Sequence, residues 1–138
     1  MIRRVALKPP ELAVWLWAES ALLTVYTLAQ LALPPALSNV IAHDPCTHLA
    51  GVVFLALGYA DLRLARSRAT GGRRLAVRAC AVVLLLLGGG FALGDRMLWA
   101  LDALRPGASV RAWCVGGASV VIGLCGLWLW RTSPLRRR

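Results

Sequence analysis

Four apolar runs, near Leu12–Leu33, Leu49–Leu64, Leu75–Leu101 and Ala112–Trp130, constrain this 138-residue chain more than any other feature. A run of roughly 18 or more apolar residues with few charges is long enough to cross a bilayer as a helix. The first and fourth runs reach that length directly, and the second does so if its helix begins at Cys46. The third carries no charge between Arg78 and Asp95, so its far end takes in Asp95 and Arg96 or stops short. The hydrophobic content of 59% exceeds the roughly 45–50% of soluble domains. Backbone groups in hydrocarbon must bond within their own segment, so runs of this length form helices. The expected fold is all-α: a polytopic membrane protein with an antiparallel four-transmembrane-helix bundle. Residues 1–138 form a single integral membrane domain, with spans near 12–33, 46–64, 75–101 and 112–130.

The basic residues punctuate these runs unevenly. Thirteen of the 16 Lys and Arg fall on three segments: Arg3, Arg4 and Lys8; Arg63, Arg66, Arg68, Arg73, Arg74 and Arg78; and Arg131 with Arg136, Arg137 and Arg138. The Pro34–His48 connection has none, and the stretch after the third run has Arg96, Arg105 and Arg111. Because Lys/Arg bias in short loops sets orientation, both termini are expected in the cytoplasm of a cell, or bacterial inner, membrane. The net charge of +10 would suggest nucleic acid in a soluble protein. Here the arginines flank hydrophobic spans, so anionic lipid headgroups are the expected partner and nucleic acid is excluded. Glu11 and Glu19 interrupt the first apolar stretch, which therefore reads as an uncleaved span and not as a signal peptide.

Local signals agree with four helices. Pro34-Pro35 terminates the first, since proline lacks a donor and disfavours helix in its predecessor. Thr70-Gly71-Gly72 and Pro106-Gly107 mark turns. The six tryptophans lie near span ends, as in an aromatic belt. Gly116, Ser119, Gly123 and Gly126 share one face of the fourth helix, and Gly90 with Gly94 forms a GxxxG pair on the third. Small residues let helices approach closely where lipid supplies no hydrophobic drive, so the fourth-helix set is expected to pack, within the chain or in a dimer. The Gly90–Gly94 pair is a candidate for the same role, while Gly88–Gly90 also reads as the ordinary glycine content of a membrane helix.

Glu19 is the first candidate for chemistry. A charge near the bilayer centre costs about 2.5–3.5 kcal/mol on insertion scales, so it should face protein or water and find a partner. Tyr26 and Gln30 lie within about 20° of it on a helical wheel, making a polar stripe. This stripe reads either as a proton or cation site or as hydrogen-bonded glue between helices. Ala18-Glu19 in the first span, with the Gly-rich last helix Gly116–Gly126, resembles the small multidrug transporters. That likeness implies a proton-linked role for Glu19, although the third span lacks those proteins' usual pattern.

The segment His43-Asp44-Pro45-Cys46-Thr47-His48 holds both histidines. Asp44 and His48 at i, i+4 share a face and suit a metal such as zinc or copper, with His43 beside them. This acid–His spacing resembles the metal site of cation diffusion facilitators, without the second ligand pair of that family. Asp44 also suits a helix N-cap and Pro45 a first helical position. Cys46 and Cys114 fall at outer span ends, where a disulfide can form; Cys80 and Cys125 read as small apolar packing residues. Asp95, Arg96, Trp99, Asp102 and Arg105 make a short amphipathic stretch, and Asp61 is expected to neutralise Arg63.

No nucleophilic triad, phosphate loop or haem-ligand pair occurs, so a stand-alone enzyme is not expected, nor any cofactor beyond a metal ion. Two roles remain open. One is an accessory or structural subunit packing against partner helices. The other is a small proton- or cation-coupled transporter, acting as an oligomer, with Glu19 as the intramembrane acid.

Overall fold

The computed structural model describes residues 9–32, 46–69, 71–93 and 110–133. It is all-helical, with α1 at Pro9–Ala32, α2 at Cys46–Arg68, α3 at Gly72–Leu93 and α4 at Val110–Arg131. All four are long and apolar enough to cross a membrane, and they pack as a bundle.

The bounds follow from local chemistry. α1 opens on Pro9-Pro10, whose missing N–H groups are among those a first turn leaves unpaired. α2 runs to Arg68, four residues beyond the expected Leu64, because arginine stems extend an apolar surface while their heads reach water. Gly71 joins α2 to α3 with φ +57°, a left-handed conformation that glycine adopts without steric cost. Its carbonyl accepts from the Arg74 N–H at 3.1 Å, and the Arg74 side chain donates to the Ala69 carbonyl at 3.0 Å. The third span was expected to reach Leu101; its final part, like Gly94 and the amphipathic stretch after it, lies outside the described residues.

The bundle is built from two close pairs, α2 with α3 and α1 with α4. In the first pair the backbones nearly touch. A β-carbon on Gly88 would lie 2.7 Å from the Leu55 amide nitrogen, and one on Gly51 would lie 2.8 Å from that of Ala92. Gly58 sits equally tight against Leu85 and the Ala81 carbonyl. Gly90 was expected in this role but meets nothing within 4 Å. The physical reason is angular: two residues along a helix is about 200° of rotation, so Gly88 faces α2 and Gly90 faces away.

In the second pair, Gly116, Ser119, Gly123 and Gly126 all lie against α1. β-Carbons at the three glycines would meet Thr27 at 3.3 Å, the Ser20 hydroxyl at 2.9 Å and the Trp17 ring at 2.7 Å. Ser20 and Ser119 clasp the pair reciprocally. The Ser20 hydroxyl donates to the Ser119 carbonyl at 2.9 Å, and the Ser119 hydroxyl donates to the Ser20 carbonyl at 2.9 Å. Thr24 Oγ1 sits 2.6 Å from Ser119 Oγ. Between the two pairs the space is filled by large side chains: Leu16 and Leu23 of α1, Phe54 of α2, Leu84 and Phe91 of α3, and Ile122 and Leu129 of α4.

Candidate functional site: a buried pair of carboxyl groups

Successive helical residues are about 100° apart. Ser20 faces α4, so its neighbour Glu19 is turned into the space between the pairs. There it is 3% exposed, and Asp61 of α2, 0% exposed, is the other buried acid among the described residues. The two carboxyl groups face each other within interaction range, with the Trp15 indole beside both. Trp15 Nε1 donates to Asp61 Oδ1 at 2.8 Å. Trp15 and Glu19 are one turn apart, which puts them on the same face of α1.

The pair is under-supplied with donors. Both Glu19 carboxylate oxygens and Asp61 Oδ2 are buried without a hydrogen-bond partner among the described residues. In membrane proteins such acids pair, face water or mark proton and ion paths. Cys80 of α3 is fully buried, within electrostatic range of these acids and close to Cys125 of α4. Each helix thus contributes one ionisable side chain to the same layer. These four residues lie six to eight positions from the span ends that adjoin the arginine-rich segments, or about 9–12 Å at 1.5 Å per residue.

The layer is sealed on the side away from the arginines. Tyr26, Phe54 and Phe91 pack edge to face there, with ring centroids 5.7–6.1 Å apart. Such aromatic pairs contribute about 0.5–1.5 kcal/mol beyond the area they bury.

Glu19, Tyr26 and Gln30 share one face of α1 as two separate groups: Gln30 Nε2 donates to the Tyr26 hydroxyl at 2.9 Å, and Glu19, about 10 Å further along the helix, meets Asp61. One expectation is corrected: Asp61 does not neutralise Arg63. Residues two apart point to opposite sides of a helix, and Asp61 is buried where Arg63 is exposed.

Of the proposed metal ligands, His43 and Asp44 lie outside the described residues, and His48 is exposed near the start of α2. No cluster of three or more metal-ligating side chains occurs among the described residues. Cys114 is exposed; the side chain of Cys46, its expected disulfide partner, lies outside the described residues.

Sequence reasoning passed over Gly51, Gly58 and Gly88, and the part played by Asp61. Gly51 and Gly58 are seven residues apart, as are Ala81 and Gly88, and that spacing marks a shared face. Asp61 carried its signal in plain view, as an acid within an apolar run. No family model, curated protein or solved structure matches the chain.

Proposed function

We propose that this chain is a multi-pass integral membrane protein whose Glu19–Asp61 pair holds a proton or a small cation within the bilayer, and that it works as a compact proton- or cation-coupled transporter. The single observation behind this reading is the meeting of two buried carboxyl groups on different helices, with three of their four oxygens lacking a donor. Two like charges in contact in a low-dielectric interior disfavour one another, and a proton or cation between them relieves both. A purely structural contact would be served as well by apolar residues of similar volume.

In this reading both termini and the α2–α3 turn face the cytoplasm, where each arginine gains about 1 kcal/mol beside anionic headgroups. The carboxyl layer then sits in the cytoplasmic half of the membrane, with the aromatic seal above it. Four helices rarely enclose a pathway alone, so the protein acts as an oligomer. The reading assigns no catalysis to the chain.

A second reading, an accessory subunit that docks on partner helices, draws support from Gly89, Gly90 and Gly117, where a β-carbon would meet nothing within 4 Å. It draws none from Gly51, Gly58, Gly88, Gly116, Gly123 or Gly126, which are occupied within the chain.

Proteoliposomes carrying a pH-sensitive dye discriminate the two. Under an imposed membrane potential, with and without sodium, the wild-type protein should move protons faster than Glu19→Gln and Asp61→Asn. Equal rates in all three rule out the carboxyl pair as the coupling site.

A further inference from the structure

α3 and α4 touch more sparingly than the close pairs, and toward the arginine-rich end they part into a cleft of about 450 Å³. Its walls are apolar: Leu75, Ala76 and Ala79 from α3, and Leu124, Cys125 and Trp128 from α4. It narrows at the end of the bundle, where a β-carbon on Gly72 would lie 3.4 Å from the Trp128 ring. Arginines gather at that end. Arg73 donates to the Thr132 carbonyl at 2.9 Å, tying the start of α3 to the end of α4. Arg78 and Arg131 are exposed, each three residues beyond a wall residue, Leu75 and Trp128 respectively, and so on the same helix face. Neither α3 nor α4 contains an Asp or Glu, so these guanidinium groups face no carboxylate from their own helices.

We propose that this cleft binds an anionic phospholipid, one acyl chain lying between α3 and α4 and the phosphate held by Arg78 and Arg131. The inference rests on the membrane placement and orientation argued above. One observation favours a lipid over a partner helix: the rim is cationic, which complements a phosphodiester. Side chains on α3 lean toward its N-terminus, which carries the Arg78 head toward the headgroup level while its stem covers the apolar wall.

The test has two stages. Flotation with phosphatidylcholine vesicles first reports membrane insertion; a chain that does not float overturns the membrane reading and this inference with it. Inserted protein is then extracted, and native mass spectrometry compares retained phosphatidylglycerol with phosphatidylcholine of the same chains. Phosphatidylglycerol should be retained preferentially. Arg78→Gln with Arg131→Gln should weaken that retention by roughly 30-fold, whereas Arg63→Gln with Arg66→Gln on α2 should leave it unchanged. Ala79→Leu, which fills the cleft and leaves the arginines in place, should reduce retention too, and it decides the matter if the double arginine variant does not fold. Equal retention of the two lipids overturns the inference. So does equal loss in both arginine pairs, or inorganic phosphate displacing the lipid from wild type and Ala79→Leu alike.

Discussion

Glu19 and Ser20 are neighbours whose side chains a helix turns to different surroundings, and this small rotation defines the site. Ser20 exchanges hydrogen bonds with Ser119 across the α1–α4 seam, and Glu19 meets Asp61 in the interior. The acid itself was legible in the sequence, because a charge in an apolar run demands a partner. Its partner was not. Asp61 sits two residues from Arg63, and reading along the chain joins them, whereas the helix separates them by about 200°. Trp15→Phe removes the only donor to Asp61 among the described residues. We expect it to cost about 1 kcal/mol of stability, read from equilibrium unfolding in detergent. Ser119→Ala should cost about the same, and it should leave proton movement intact because Ser119 faces the other side of α1.

At the scale of elements, the close pairs depend on which glycines face a neighbour. The Gly116–Gly126 stripe was visible because its four small residues keep one face over three turns. Gly51, Gly58 and Gly88 were harder to see: Gly51 and Gly58 are only two residues on a face, and Gly88 lies in a run of three glycines, so that only the antiparallel register of α2 and α3 singles it out. The contrast yields a paired prediction. Gly88→Ala places a β-carbon against the Leu55 backbone and should destabilise by about 1–3 kcal/mol, as overpacking does. Gly90→Ala enters open space and should be neutral or stabilise by up to about 1 kcal/mol, since alanine is the better helix former. Thermal unfolding of the two variants side by side separates these outcomes, and equal destabilisation would contradict the assigned faces.

For the whole molecule, the four-helix bundle followed from run length and hydropathy. The grouping into pairs did not, because all four helices are apolar over most of their surface, and the small and polar residues that mark the seams do not say which helix they face. The orientation drawn from the arginines has its own test. Cys114 has an exposed free thiol four residues into α4, at the end opposite the arginine-rich turn. With the other three cysteines replaced by alanine, a membrane-impermeant maleimide added to intact cells should label it, and labelling only after lysis would reverse the topology. The central claim, that Glu19 and Asp61 hold an exchangeable proton or cation, is most directly tested with dicyclohexylcarbodiimide, an apolar reagent that adds to protonated carboxyl groups in hydrocarbon. Mass spectrometry should find the adduct on Glu19 or Asp61, formed more slowly as pH rises or as sodium is added, because both remove the proton from the pair. Failure to modify either residue, or a rate indifferent to pH and sodium alike, would contradict the account.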